Sequence, residues 1–347
     1  MRLTYSRLAL ALTSSLALAL AACGGDDGSN GNGAQPDAAG DPEGEHHTYV
    51  VDQLQIPTSA TEVSRYGLDL DGDLEPDNAL GLVLSALGNV VGEIDLQETL
   101  DAQFDAGSLI VLADLQATSL DDASNSAFWV YLGDNPGTDP CVDEEEEDCG
   151  YHLDGQTSFD IAANSPTDAR VDGSISGGAF SGGPGVVSLS LALVDDIPPL
   201  NVDLVGARVE IESVSETGLA SGRIGGGITI AQIEDELMPA IAAGLTALIE
   251  EECEGPGEDP APCGCPEDST SDIVQQTFDT ADSCDVTTEE LLNNDTISTL
   301  IQPDVDLLDE NGNFNPTPED DPDWSPDAMS LGVGFSAVGA DFTSPNE

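Results

Sequence analysis

The segment Asp69-Leu70-Asp71-Gly72-Asp73-Leu74-Glu75-Pro76-Asp77-Asn78 holds the residues best placed to do chemistry. Counted from Asp69, it puts carboxylates at positions one, three, five and nine. Calcium takes about six to eight oxygen ligands, and alternate carboxylates on a tight loop can turn inward together with a backbone carbonyl. The spacing therefore nominates Asp69, Asp71, Asp73 and Asp77 as ligands of a structural Ca2+. Two positions depart from that chemistry. Leu74 stands where such loops use glycine for a sharp turn, and Leu80 stands where they use a bidentate acid. The missing ligand would have to come from elsewhere. The same run also reads as a solvated acidic turn. A second stretch, Asp304 to Asn313, offers Asp306, Asp309, Asn311 and Asn313 at irregular spacing and reads as a turn around Asn311-Gly312.

Sulfur is the other reactive group. Beyond Cys23 there are six cysteines: Cys141, Cys149, Cys253, Cys263, Cys265 and Cys284. An even number in an exported chain predicts three disulfides. Cys141 and Cys149 bracket Val-Asp-Glu-Glu-Glu-Glu-Asp and are expected to pair, since that run repels itself. The last four allow three pairings, of which Cys263 with Cys265 is disfavoured by its single intervening residue. A zinc site is the competing reading for these four, but it lacks a second Cys-x-x-Cys and a nearby His.

The 347 residues include 68 Asp and Glu against 6 arginines and no lysine, a formal charge of −62. Such a surface repels phosphate backbones and anionic headgroups, so nucleic-acid binding and polybasic membrane docking are excluded. Lysine Schiff bases and P-loop chemistry are excluded with them. No Gly-x-Ser-x-Gly, His-Glu-x-x-His or Gly-x-x-x-x-Gly-Lys motif is present, and Gly222 to Gly227 reads as a strand bend. His46 and His47 are expected to be exposed linker residues, and His152 to face solvent. The acid excess also fits adaptation to a salty medium, where ions screen self-repulsion.

Arg2 and Arg7 followed by the apolar run Leu8 to Leu20 form a secretory signal too short to span a bilayer. It ends Leu20-Ala21-Ala22-Cys23, which resembles the lipobox of bacterial lipoproteins. That resemblance implies cleavage before Cys23, acylation of Cys23 and attachment to a membrane through the N-terminal lipid. Gly24 follows the cysteine, and by resemblance to enterobacterial sorting this implies the outer membrane. Residues 24–46 contain no large apolar side chain and are expected to form a disordered tether.

The elements that must position these groups follow from periodicity. Residues 48–56 read as a first strand. Leu80 to Ile94 has helical spacing, and a second helix runs from Asp95 through Leu96, Leu100 and Phe104 to a stop at Gly107. Ser108 to Leu115, Ala127 to Leu132, Val187 to Leu193 and Arg208 to Glu212 read as strands. Residues 231–252 form an amphipathic helix that Pro239 kinks or starts. Met329, Leu331, Val333 and Phe335 alternate with Ser330, Gly332 and Gly334 in a last strand. The expected organisation is a signal peptide (1–22), a lipidated tether (23–47), an α+β domain (48–252) and a Cys-rich extension (253–347) whose final strand packs back. The fold class is α+β, an antiparallel sheet packed with a few amphipathic helices and braced by disulfides.

The aspartate run resembles the calcium loops of EF-hand, dockerin and thrombospondin type 3 modules over about ten residues, which implies a structural ion. The chain as a whole resembles acidic lipoproteins of marine myxobacteria in four features. These are the lipobox, Tyr66 to Gly81, the glycine-rich strand and helix from Gly222 to Ile249, and the late cysteines. This implies class and location but no activity. The expected function is a non-catalytic, lipid-anchored envelope protein, structural or binding, with a calcium-stabilised domain. The alternatives are an amphiphile carrier and a carboxylate-dependent hydrolase.

Overall fold

A computed structural model of the chain describes residues 41–90, 96–141, 149–191, 200–253, 263–267 and 269–346. These fall within one unit, Ala39–Glu347. The signal, the lipobox with Cys23, most of the tether, Asp95 and the acids between Cys141 and Cys149 lie outside the described residues.

In chain order the elements are β1 (Glu45–Gln55), α1 (Ala60–Tyr66), α2 (Ala79–Val90), α3 (Leu96–Asp105), β2 (Val111–Ala117), β3 (Asp122–Asp134), β4 (Asp160–Ile161) and β5 (Arg170–Ser176). They continue with β6 (Ala179–Leu191), β7 (Leu200–Ser215), β8 (Gly218–Thr229), α4 (Ile230–Gln232), α5 (Met238–Glu252), α6 (Thr270–Phe278), α7 (Thr288–Asn293) and α8 (Asp295–Leu300). The last are β9 (Asp306–Leu308), β10 (Phe314–Thr317) and β11 (Ala328–Gly339). The predicted strands and helices are present where the residues are described; the ends of two of them, 91–94 and 192–193, lie outside the described residues. A short π-helical stretch, Ile233–Leu237, joins α4 to α5 in one continuous helical path, and Pro239, which has no N–H to give to the turn before it, lies just beyond that wider stretch.

The main sheet is antiparallel and closes on itself. β1 pairs with β2 and with β11, β2 pairs with β3, and the order continues through β5, β6, β7 and β8 back to β11. Eight strands thus form an up-and-down barrel whose first and last members meet. This settles the place of the C-terminal segment: β11 lies between β1 and β8, so residues 328–339 complete the barrel rather than decorate it. Short turns (118–121, 177–178 and 216–217) join strands at one end. The long connections carrying α1–α3, residues 135–169 and α4–α8 all leave the other end.

Alternation puts one apolar row of each strand inside. Tyr49, Val130, Val171, Val209, Ile224 and Leu331 are among the buried residues of one continuous cluster. Phe128 stands at its centre, 6.0 Å from the Phe180 ring and 6.1 Å from Phe335. A barrel of eight strands is just wide enough for side chains to fill it or to hold one small ligand; here the aromatic rings occupy the middle. Two smaller clusters cover the outside. Val50, Leu112, Trp129 and Tyr131 lie under Phe159 and Phe342. Leu68 and Leu70 pack on Val305, Leu307 and Ala328.

Three disulfides form: Cys141–Cys149, Cys253–Cys265 and Cys263–Cys284. The first is the expected pair, and the other two avoid the strained Cys263–Cys265 link, leaving no cysteine among these six for zinc. α3 ends at Asp105, and Gly107 just beyond it, with a φ of 66°, permits the N–H of Ser108 to reach back to the Gln103 carbonyl.

Two histidine expectations are corrected. β1 begins at Glu45, so His46 and His47 belong to a strand and not to a linker. The His46 side chain is buried, its Nδ1 2.9 Å from Oδ2 of the buried Asp114. His152 does not face solvent: it is fully buried against Phe159, and neither ring nitrogen has a hydrogen-bond partner among the described residues. Burial holds its pKa below the usual histidine value, against the charge of Asp105.

Candidate metal centre

The aspartate loop sits on the outer face of β8 and β11, and the sequence of β11 explains why it can. Its outward residues are Ser330, Gly332 and Gly334. A side chain at Gly332 would meet the Tyr66 carbonyl, and one at Gly334 would meet the Tyr66 ring. Glycine there lets α1 and the loop lie directly on the strand backbone. Leu68 and Leu70, 4% and 0% exposed, anchor the loop in the cluster with Leu307.

Asn78 closes the loop. Its Nδ2 donates to the Gly332 carbonyl (3.0 Å) and to the Val63 carbonyl (3.1 Å). Its Oδ1 accepts from the N–H groups of Gly332 (2.9 Å) and Gly81 (3.1 Å). The β1–β11 ladder ends at Gln55–Gly334, so Asn78 supplies the partner that β1 no longer gives to Gly332. It also caps α2.

Within this frame the loop amides turn the carboxylates inward. Leu70 N–H donates to Asp77 (2.7 Å), Gly72 N–H to Asp69 (2.7 Å) and Asp73 N–H to Asp71 (3.1 Å). Carboxylate oxygens of Asp69, Asp71 and Asp77 come within 4.8 Å of one another, a group that can hold a metal ion. Asp73, the fourth expected ligand, does not join them; its Oδ1 accepts from Glu75 N–H instead. Leu74 adopts φ 76° with its side chain 88% exposed. The position where a calcium loop uses glycine therefore makes the sharp turn with a leucine, at a steric cost.

The electrostatics follow from crowding. Burial, reinforced by the charges of Asp71, Asp304 and Asp73, pushes Asp77 up to about 7 against the donated bond from Leu70. Burial and the neighbouring Asp73, Asp69 and Glu319 push Asp71 up as well. Asp304, held by the N–H and hydroxyl of Ser330, is raised by burial. Two acids from the segment before β11, Asp304 and Glu319, thus act on the loop from outside it. The periodicity of the loop holds no trace of them. Asp309, in the second acidic stretch, instead accepts from the backbone of Asn311 and Asn313 in a tight turn, as expected there.

Comparison with protein-family models, curated proteins and solved structures finds no match to this chain. The geometry alone therefore defines the class: an antiparallel β-barrel with helical connections at one end and a trio of carboxylates on its outer wall.

Proposed function

We propose that the chain is a lipid-anchored, non-catalytic protein of the bacterial cell envelope, a barrel stiffened by calcium that serves a binding role outside the membrane. The observation that carries the calcium reading is the approach of Asp69, Asp71 and Asp77 within 4.8 Å on a loop whose own amides aim them. Calcium suits an all-oxygen site with room for carbonyls and water better than zinc does. The anchor reading rests on Leu20-Ala21-Ala22-Cys23 and the signal before it. The carrier reading loses support, since the barrel interior is filled by Phe128, Phe180 and Phe335.

Thermal unfolding of the full chain, non-reducing and in detergent, tests the ion. It is run in EDTA, in millimolar CaCl2, in MgCl2 and in NaCl of matched ionic strength. The midpoint is expected to rise with calcium by ligand linkage, and Asp71→Asn is expected to remove the rise. A midpoint that moves only in molar NaCl would make the acids a solvent adaptation and end the calcium reading. Mass spectrometry of the membrane fraction tests the anchor: Cys23→Ser is expected to lose the acyl mass and leave the membrane.

A further inference from the structure

A second feature of the outer wall lies beside the metal loop and belongs to none of the chemistry above. A hollow of about 390 Å³ opens between α1 and the strands β1, β11, β8 and β7. Gln53, Arg65, Glu212, Ser221, Arg223 and Ser336 line it. A second hollow of about 380 Å³ lies toward α3; Gln53, Gln55 and Tyr66 border both, with the Tyr66 hydroxyl donating to Gln55 Oε1 at 2.8 Å. The first hollow, a groove over the strand backbone, is in the size range of ligand sites.

The groove is built by two register shifts that meet at one residue. On the β1 side, Val51 pairs with Ala337 and Gln53 with Ser336, so Asp52 is extra. On the β8 side, Phe335 pairs with Gly222 and Ala337 with Leu219, so Ala220 and Ser221 both face Ser336. Bulges bend a strand and re-aim its side chains. Ser221 pays for this with φ 53°, a left-handed conformation rare for serine. Ser336 donates to Asp52 at 2.7 Å, which fixes the floor.

The walls carry groups the fold does not use. The side chains of Gln53 and Glu212 and the guanidinium of Arg65 have no hydrogen-bond or ion-pair partner among the described residues, Arg65 only lying over the Tyr66 ring at 5.6 Å. Arg223, committed to Glu210 and to the Arg65 and Gly67 carbonyls, stands next to them. An amide, a carboxylate and a guanidinium are planar forks that bond two adjacent polar atoms at once. Adjacent polar atoms of both donor and acceptor character are the pattern of vicinal hydroxyls. The lining is polar, which disfavours an apolar ligand. A polyanion is opposed by the chain's charge of −62, and a polycation is opposed locally in the first hollow, where Arg65 and Arg223 face the single acid Glu212.

We propose that this groove binds a neutral oligosaccharide, with Gln53, Arg65 and Glu212 bonding its hydroxyls above the Ser336 floor. The proposal rests on the reading of the chain as a non-catalytic binding protein and gives that reading a ligand class. Isothermal titration of the full chain in detergent, against maltopentaose, cellopentaose, laminaripentaose, mannopentaose and xylopentaose, tests it, with tetragalacturonate and hexalysine alongside. At least one neutral sugar is expected to bind. Gln53→Ala and Glu212→Ala are each expected to weaken it about tenfold, the loss of one charge-assisted or bidentate bond. Neither side chain supports the fold, so their unfolding midpoints should match the parent protein. Absence of heat with all five sugars, equal affinity in both variants, or binding confined to tetragalacturonate or hexalysine would each overturn the proposal. The titrations are repeated in EDTA and the products chromatographed. Sugar binding without any calcium response would keep the groove and remove the metal reading. Cleavage of a bound sugar would keep the groove and remove the non-catalytic reading.

Discussion

Asn78→Ala is the substitution with the largest consequence for the metal loop, because one side chain there serves three elements. Its four hydrogen bonds reach Val63 at the end of α1, Gly81 in α2 and both backbone groups of Gly332 in β11. Asn78 is 6% exposed, so solvent cannot take over these partners without opening the interface. A net ~1 kcal/mol per bond, with an added penalty for leaving buried Gly332 groups unpaired, gives a loss of about 3–6 kcal/mol. For a chain of this length that lowers the unfolding midpoint by roughly 6–12 °C, at ~2 °C per kcal/mol. Urea unfolding in EDTA, followed by the fluorescence of buried Trp129, measures it without interference from metal. Asn78→Asp separates the donors from the acceptors. It keeps both bonds to Oδ1 but loses both donated ones and puts a fourth carboxylate next to Asp77. Its loss should therefore match or exceed that of alanine in mild alkali and shrink as the pH falls. A loss under about 1 kcal/mol for Asn78→Ala, with an unchanged denaturant slope, would refute the reasoning, since four buried bonds cannot be worth so little together.

Four further outcomes are expected. In EDTA, Asp77→Asn should stabilise the protein above neutral pH. Asp77 titrates near 7 in the fold against 3.8 for a free aspartate, so the folded state holds a proton that the unfolded state has released, and wild-type stability falls as pH rises through that window. The gap between the two proteins should open between those values and vanish below them; a variant less stable at about pH 8 would contradict it. His152→Leu should leave the neutral-pH midpoint unchanged or higher and flatten the loss of stability on acidification. The buried ring has a lowered pKa and no hydrogen bond to lose, so in the parent protein stability falls once the unfolded-state histidine protonates; thermal scans from neutral pH downward measure it. Phe128→Ala should cost about 3–5 kcal/mol in urea unfolding by emptying the centre of the barrel. Cys263→Ser should cost about 2–5 kcal/mol, and reducing agent should affect that variant less than the parent.

The sequence revealed faces better than neighbours. The alternation of Met329, Leu331, Val333 and Phe335 with Ser330, Gly332 and Gly334 correctly marks an apolar side and a small side, because strand side chains alternate whatever the strand pairs with. It does not say that β11 joins β1 to β8, which is a matter of register across most of the chain. The same limit explains His46. Its polar side chain follows a polar tract, so by periodicity the strand reads as beginning at residue 48. Its burial depends on Asp114, which is distant in sequence and adjacent only once β1 and β2 pair. His152 was hidden for the opposite reason: the acids before it suggest solvent, whereas the fold buries its ring against Phe159. At the aspartate loop, spacing nominated Asp69, Asp71, Asp73 and Asp77 alike; the structure brings only Asp69, Asp71 and Asp77 together, because spacing cannot show that the backbone will use Asp73 to pin a turn.

The trio has the arrangement of a group that can hold a metal ion. An ionised carboxylate offers about four lone-pair positions. The loop's amides donate one bond each to Asp69, Asp71 and Asp77, enough to aim the groups but not to fill them. Their oxygens nonetheless converge within 4.8 Å, on a loop anchored by Leu70 and clamped to β11 through Asn78. Like charges on a free turn would spread apart, since each gains more from water than from its neighbours. Here the apolar anchors on one side and the Asn78 clamp on the other oppose that spreading, and burial, with the charges of Asp71, Asp304 and Asp73 added to it, raises the pKa of Asp77. A divalent cation would use the unfilled lone pairs and reverse the repulsion in one step. A loop that only needed to turn would have no reason to bury Asp71 at 4% exposure beside two other acids.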